Sequence, residues 1–124
     1  MLKEIIAVFI GGGIGSVLRF MVNKIEFISE NNIPYPTLIS NILGCFILGL
    51  VLGYFLKNEN PNSILFVFLT VGICGGFTTF SSFSYENLEL LENGQIFTFL
   101  TYMFGSLVVG MISVYIGTYL FKTL

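Results

Sequence analysis

The sequence contains no histidine and no aspartate, and only two of its 124 residues are cysteines. Without histidine or aspartate, the chain lacks the ligands of the common zinc and haem sites and the members of a Ser-His-Asp triad, so no enzyme active site is indicated. Cys45 and Cys74 fall inside apolar stretches, where thiols usually act as small apolar fillers, and we expect neither a disulfide nor a metal site from them. The few basic residues form no cluster, so the sequence gives no indication of a nucleic-acid partner.

Charged residues are scarce, at 10% of the chain, whereas hydrophobic residues make up 55% and the mean hydropathy is +0.91. This composition lies outside that of soluble domains and predicts an integral membrane protein. A helix needs about 20 apolar residues to cross a bilayer, and four stretches meet this requirement, with polar connections such as residues 57–63 between them. We therefore predict an all-α membrane protein with a single four-helix transmembrane domain over residues 1–124, whose spans cover residues 2–22, 37–56, 64–91 and 96–121.

The stretch from Gly72 to Glu86 is the most informative part of the chain. Paired glycines and a cluster of hydroxyl groups interrupt an otherwise apolar span there, and each glycine costs a helix about 1 kcal/mol relative to alanine. We therefore predict a break in the third helix near residues 75–79. A break at membrane depth is tolerated only where it is buried in protein or lines a cavity. Hydroxyl side chains alternate with aromatic rings at every third residue, which suits a narrow polar path, and these rings are Phe77, Phe80 and Phe83.

Three further polar side chains lie in or near the predicted spans. Asn41 is costly to bury unless its amide is bonded, so it faces either a neighbouring helix or a pore. Arg19 lies towards the end of the first span, where it either snorkels to the interface or faces water or a partner. Glu86 shares a stripe with Thr79 and Phe83, and we consider it a candidate for a pore mouth.

Small residues recur at helical spacing in the other spans. In the first span, the pairs Gly11/Gly15 and Gly12/Ser16 are small-xxx-small patterns, which let another backbone approach closely. We expect these pairs to pack helices and to have no ligand-binding role. The fourth span carries a similar seam of polar and small residues, and its members are Tyr102, Ser106, Gly110, Ser113 and Gly117.

Positive charges are almost balanced between the two sides of the membrane. With four spans, Lys3, Lys57 and Lys122 share one side, while Lys24 and Arg19 lie towards the other. Because an excess of positive charge on one side sets the orientation of a membrane protein, this chain has little orientation preference. We therefore expect it to insert both ways and to assemble as an antiparallel, two-fold symmetric homodimer.

Three segments in a fixed order resemble the Fluc (CrcB) family of fluoride channels. They are residues 11–19 (GGGIGSVLR), 36–44 (PTLISNILG) and 72–86 (GICGGFTTFSSFSYE), and the resemblance extends over the whole chain. It implies a dual-topology homodimer in the cell membrane, with two antiparallel pores through which fluoride leaves the cytoplasm passively, lowering fluoride toxicity. It also implies a structural sodium ion (Na+) at the dimer centre, held by the backbone carbonyls of Gly75 and Thr78 from both subunits.

The resemblance further implies the residues along the fluoride path. Phe80 and Phe83 match the family's paired phenylalanine rings, and Asn41 matches its pore asparagine. Arg19 matches the first-helix arginine, which we place at an aqueous vestibule. A polar track along the pore would comprise Thr79, Ser82, Glu86, Tyr102 and Ser106. Fluoride is small and strongly hydrated, so a selective path must replace its water with donors such as these hydroxyls and the asparagine amide.

Two other functions agree less well with the sequence than a fluoride channel does. Small dual-topology multidrug exporters exchange protons for cationic drugs and need a carboxylate deep in the first helix, whereas Glu4 lies at the extreme end of that span. A structural membrane subunit would explain the glycine seams but would leave Asn41 and the hydroxyl-rich break without a role. Polar residues inside membranes usually serve a function, which favours the channel.

Overall fold

The fold was analysed in a computed structural model, which describes residues 1–60 and 63–124. Part of the connection predicted over residues 57–63 thus lies outside the described residues. Within them all regular secondary structure is helical, with no strand, and the third span is divided into several helical pieces. The elements are α1 (Leu2–Asn23), α2 (Tyr35–Lys57), α3 (Ile64–Val67), a π-helical segment (Phe68–Cys74), α4 (Gly75–Phe77), α5 (Phe80–Glu92) and α6 (Ile96–Thr123).

Four helical regions are long and apolar enough to cross a membrane, so the prediction of a multi-pass all-α membrane protein is confirmed. At a rise of 1.5 Å per residue, the 22 residues of α1 extend over about 33 Å, close to the thickness of a bilayer's hydrocarbon core. The second span begins two residues before its predicted start, at Tyr35, because Pro36 is accommodated in the first helical turn. The spans are Leu2–Asn23, Tyr35–Lys57, Ile64–Glu92 and Ile96–Thr123.

The third span is interrupted at Thr78 and Thr79. Both residues are extended, with φ and ψ of −82° and 155° at Thr78 and −146° and 119° at Thr79. This position lies at the end of the predicted range, and the paired glycines to which we attributed the break, Gly75 and Gly76, are still helical. The expectation that glycine's poor helix propensity causes the break was therefore wrong.

Phe77 lies before this break and does not share a stripe with the two later phenylalanines. Its side chain is only 8% exposed and packs in the first half of the span, whereas Phe80 opens the second half and is 79% exposed. The three-residue spacing that grouped these rings in the sequence assumed one continuous helix. Because two extended residues separate the halves, only Phe80 and Phe83 belong to the same helix, α5.

Glycines in the first half of the third span allow close packing against α1. A Cβ atom at Gly76 would overlap the carbonyl oxygen of Gly12, and one at Gly11 would lie 2.7 Å from the carbonyl oxygen of Phe68. The first helix therefore touches the third span backbone to backbone, as the small-xxx-small pattern predicted. Tight packing is the physical reason for these glycines.

A second glycine seam joins α2 to α6. A Cβ atom at Gly53 would lie 2.7 Å from the carbonyl oxygen of Thr118, and one at Gly117 would lie 2.5 Å from the carbonyl oxygen of Phe46 on α2. The two helices run side by side for most of their length. The break in the third span lies between this seam and α1, and it is here that polar side chains converge.

The turn between α5 and α6 places these helices beside each other. Gly94 has a φ of 72°, a left-handed conformation that favours glycine, and its N–H donates to the Leu91 carbonyl at 3.0 Å. The N–H of Gln95 donates to the Leu90 carbonyl at 2.8 Å, which completes a Schellman cap. As a result, α6 folds back so that Tyr102 can reach a side chain on α5.

Candidate ion pathway

An open cavity of about 460 Å³ lies at the break, lined by residues of α2, the third span and α6. The backbone at the break thus lines a cavity, as expected for irregular structure at membrane depth. The cavity brings together more than half of the side chains predicted for the ion path, together with the two residues predicted to hold a cation, Gly75 and Thr78. The path residues along its wall are Asn41, Thr79, Phe80, Phe83 and Ser106.

Asn41 binds the broken backbone directly. Its Oδ1 accepts a hydrogen bond from the N–H of Thr79 at 2.8 Å, and its Nδ2 donates to the carbonyl oxygen of Thr79 at 3.2 Å. Of the alternatives left open by the sequence, the contact with a neighbouring helix is therefore observed. The same side chain also borders the cavity, and its position in a pore stays a prediction. One of its two amide hydrogens is used by Thr79, so the other is available to the cavity.

Thr79 caps the second half of the span. Its Oγ1 accepts a hydrogen bond from the N–H of Ser82 at 3.3 Å and also lies 3.3 Å from the Ser82 hydroxyl. This arrangement is an N-cap, which satisfies one of the free N–H groups at a helix start. Ser82 does not line the cavity. It is connected to the cavity only by its hydrogen bonds to Thr79, which does line it. The amino-terminal end of α5, which carries a partial positive charge, is therefore directed towards the cavity.

Two aromatic rings on α5 follow the cap. The ring centroids of Phe80 and Phe83 are 6.1 Å apart with an interplanar angle of 40°, and Phe83 lies 5.2 Å from the ring of Tyr102 at 55°. These tilted arrangements leave ring edges, which carry partial positive charge, free to face neighbouring groups. Three aromatic rings thus lead from the cavity towards the end of α5.

Ser106 supplies a free hydroxyl in the same cavity. Its Oγ is buried and has no hydrogen-bond partner among the described residues. Most buried polar atoms in proteins are paired, so this hydroxyl is available to a water molecule or an ion that enters the cavity. Of the fourth-span residues predicted to line the path, this one lies closest to the break.

Glu86, midway along α5, is held by two donors. Thr37 Oγ1 donates to its Oε1 at 2.5 Å, and the hydroxyl of Tyr102 donates to its Oε2 at 2.7 Å. Both carboxylate oxygens are therefore paired, and the carboxylate has a fixed orientation. Thr37 was not among the predicted path residues, although its position four residues before Asn41 on the same helix could have indicated it.

Glu86 also lines a second cavity, which fits a pore mouth better than a pore centre. This cavity has a volume of about 230 Å³ and lies between the α1–α2 connection and the end of α5. Amide and carboxylate groups form much of its wall. Besides Glu86, it is lined by Asn32, Pro34, Glu89, Leu90, Asn93 and Gln95.

Arg19 lies apart from both cavities. It is half-buried in the last part of α1, and no hydrogen bond or ion pair joins it to another described residue. Within one chain, the structure does not bring this side chain to the ion path. Its predicted place at a vestibule stays a prediction.

A cation at the break would have to be bound by backbone oxygens. The described residues contain no cluster of three carboxylate, thiol or imidazole groups that could hold a metal ion. Thr79 donates its N–H to Asn41, so the Gly75 carbonyl lacks the partner that a continuous helix would supply. Carbonyl oxygens are hard ligands, and these groups therefore fit an alkali cation.

Four spanning helices and an aromatic, hydroxyl-lined cavity at a helix break define a small multi-pass membrane protein with a polar path through its interior. The chain belongs to the CrcB-like protein family, described as Camphor Resistance (CrcB), which matches residues 6–118. The family predicted from the three sequence segments is thereby confirmed. It is also a protein of the cell membrane, as predicted.

Relatives that are similar over nearly the full length are named fluoride-specific ion channel FluC. One from Azobacteroides pseudotrichonymphae is 45% identical over 94% of each chain. Another from Phocaeicola vulgatus is 41% identical over 96% of this chain and 98% of the relative. A third from Flavobacterium psychrophilum is 39% identical over 99% of this chain and the whole relative. These relatives leave no support for the exporter or the structural subunit.

Proposed function

We propose that this chain is a fluoride-selective ion channel that gives passive efflux of fluoride from the cytoplasm and so lowers fluoride toxicity. The observation that carries the proposal is the cavity at the break, where the unpaired Ser106 hydroxyl lies near the rings of Phe80 and Phe83. Hydroxyl and amide donors can replace the water around a small anion, and ring edges can contact it without binding it tightly. The name shared by the relatives supports fluoride as that anion.

The flow is passive, since the sequence has no nucleotide-binding motif and no carboxylate placed for proton exchange. An inside-negative membrane potential drives an anion outwards by about 2.3 kcal/mol per 100 mV. No covalent chemistry is needed, and the protein is a channel rather than an enzyme.

The channel works as an antiparallel homodimer with dual topology. Phe80 is 79% exposed in one chain although it borders the cavity, and Gly75 is also exposed. A second copy in the opposite orientation would cover both residues and complete the wall, while the balanced charges give the chain little orientation preference.

A reporter fused to the carboxyl terminus should be found on both sides of the membrane. A reporter confined to one side would contradict dual topology.

A sodium ion at the dimer centre is supported by the available carbonyl oxygens. Gly75 and Thr78 of each subunit would hold it, and Glu86, Tyr102 and Arg19 would lie towards the ends of the two pores. A bound cation supplies positive charge between two anion paths. It would also tie the two subunits together at their broken helices.

The decisive experiment is ion efflux from proteoliposomes that contain the purified protein. Vesicles are loaded with potassium fluoride or potassium chloride, and valinomycin balances the charge that leaves with the anion. We expect rapid release of fluoride and retention of chloride, with empty vesicles as the control. Retention of both anions by a correctly assembled dimer would contradict the channel, and equal release of both would contradict its selectivity.

A further inference from the structure

Two N–H groups at the break are bound by acceptors that replace helix carbonyls. In an uninterrupted α-helix, each N–H donates to the carbonyl four residues earlier, so Thr79 would donate to Gly75 and Ser82 to Thr78. Instead, the Thr79 N–H donates to Asn41 Oδ1 at 2.8 Å, and the Ser82 N–H donates to Thr79 Oγ1 at 3.3 Å. The carbonyls of Gly75 and Thr78 are among those at the break that lose their helical donors.

Of these two replacements, only Asn41 comes from another helix. Its amide pairs with both polar backbone groups of Thr79, much as a neighbouring strand pairs with an extended residue. This pairing fits the observed φ and ψ of Thr79, −146° and 119°. Thr79 is only 7% exposed, so water is poorly placed to substitute for the side chain of Asn41.

We infer that Asn41 is a positioning residue that holds the break open and thereby keeps the carbonyl oxygens of Gly75 and Thr78 available to a cation. The identity of that cation as sodium rests on the proposed function, whereas the pairing of Asn41 with Thr79 does not. Asn41 thus links the ion path, which it borders, to the site between the subunits.

The consequence of losing Asn41 follows from the backbone geometry. A buried N–H without a partner is strongly unfavourable, and the Gly75 carbonyl is the acceptor that a helix would offer to Thr79. To form that bond, Thr78 must change its ψ from 155° to a helical value. That rotation would align the Thr78 carbonyl with the helix axis. The carbonyl oxygens of Gly75 and Thr78 would then no longer be available to bind a cation.

Two substitutions separate this role from a direct contact with the anion. Asn41→Leu keeps the branched shape but removes the acceptor for the Thr79 N–H. Asn41→Asp keeps that acceptor and strengthens it by charge, although it loses the Nδ2 donor to the Thr79 carbonyl and places a negative charge beside the anion path. Ser106→Ala is the matched control, because it removes a polar group from the same cavity without touching the break.

The first measurement is the backbone conformation of Thr78 and Thr79, read from Cα and carbonyl ¹³C chemical shifts of the labelled protein in lipid bilayers. We expect extended shifts in the unmodified protein, in Asn41→Asp and in Ser106→Ala. Helical shifts are expected in Asn41→Leu, or in Asn41→Ala should the leucine variant fail to assemble. Extended shifts without an acceptor at position 41 would overturn the inference.

The second measurement is the thermal stability of the dimer in sodium buffer against N-methylglucamine buffer of equal ionic strength. A cation that binds only the folded dimer raises its melting temperature, and we expect Asn41→Leu to weaken the apparent sodium affinity by about tenfold or more. Asn41→Asp should keep sodium stabilisation while losing fluoride flux. If Asn41→Asp loses sodium stabilisation as Asn41→Leu does, or Asn41→Leu keeps it in full, the inference is overturned.

The failure of the proposed function would be recognised separately. Absence of fluoride efflux from the unmodified protein, together with the expected shifts and sodium response, would reject the channel and leave the role of Asn41 intact. An unmodified dimer that gains no stability from sodium would overturn the link to the cation. The chemical shifts would then decide whether Asn41 holds the break.

Discussion

The two halves of the third span are held in place by different forces. The half before the break packs on α1 through glycines, and its contacts are mainly between backbone atoms. The half after the break, α5, is held by side-chain hydrogen bonds, between Asn41 and Thr79 at its start and from Thr37 and Tyr102 to Glu86 at its middle. Close packing of backbone atoms therefore holds the first half in place, and hydrogen bonds between polar groups hold the second half.

This difference separates the sites that assemble the protein from those that carry ions. A seam of packed backbone atoms has no space for an added atom, and it offers no hydrogen-bond donor to an anion. Polar pairs tolerate small changes in volume, but they fail when a charge or a donor changes. Substitutions in the first half should therefore affect assembly, and those around the second half should affect flux.

The largest effect is expected from Gly76→Ala. Its Cβ would overlap the backbone oxygen of Gly12, which cannot move aside as a side chain can, and overpacking of this kind costs about 1–3 kcal/mol or more. We expect most of the protein to lose its dimer peak in size-exclusion chromatography. Gly12→Ala is the matched control, because a Cβ there meets no atom within 4 Å. A stable Gly76→Ala dimer would show that close backbone packing at this position is not required for assembly.

Asn41→Asp should leave the dimer assembled and suppress fluoride flux. Two like charges 4 Å apart repel by about 4 kcal/mol at an effective dielectric constant of 20, which corresponds to a fall in flux of about a hundredfold or more. Efflux from proteoliposomes measures the fall, and size-exclusion chromatography checks assembly. An unchanged flux would restrict Asn41 to a structural role.

Phe80→Ile and Phe83→Ile test whether the aromatic rings contact the anion. Isoleucine keeps the apolar character but has no positive ring edge, so we expect each variant to reduce fluoride flux by about tenfold, as the loss of about 1.4 kcal/mol of contact energy would. The control is Phe97→Ile, because Phe97 is 81% exposed and lies on α6 away from the break. Undiminished flux in both test variants would remove the rings from the path.

The smallest effect is expected from Tyr102→Phe. This change leaves the ring beside Phe83 but removes the donor to Glu86, while Thr37 still holds the other carboxylate oxygen. Loss of one hydrogen bond of about 1 kcal/mol should lower flux a few-fold and leave assembly intact. Tyr115→Phe, on the exposed side of α6, provides the comparison. Equal flux in both variants would mean that the orientation of Glu86 does not matter to conduction.

The sequence was sufficient for features that depend on composition and local pattern. Hydropathy located four spans, and the hydroxyl-rich segment in the third span located a break within a few residues. The residue pattern singled out Asn41, Phe80, Phe83, Thr79 and Ser106, and the family resemblance assigned them to an ion path. The structure brings all five to one cavity. These residues are recognisable because polar groups stand out against an apolar background.

Other features depend on partners that are distant in the sequence. Glycine propensity suggested a break at Gly75 and Gly76, but those residues serve a backbone contact with α1 that no local pattern reveals. The role of Thr37 requires knowledge of where Glu86 lies, 49 residues later. Which element approaches which is decided by tertiary packing, and a single sequence records it only indirectly.

The π-helical segment over Phe68–Cys74 sets the angular phase of everything that follows it. A π-turn holds about one residue more than an α-turn, and such turns are often found at functional sites. Wound as an ordinary α-helix, the same seven residues would turn the chain beyond them about 100° further, the angle that one residue occupies in an α-helix. The span would keep all its residues and its hydrophobicity, but the rings of α5 would face in another direction. Deleting one residue from the segment would instead let it become α-helical while keeping the direction of the chain that follows.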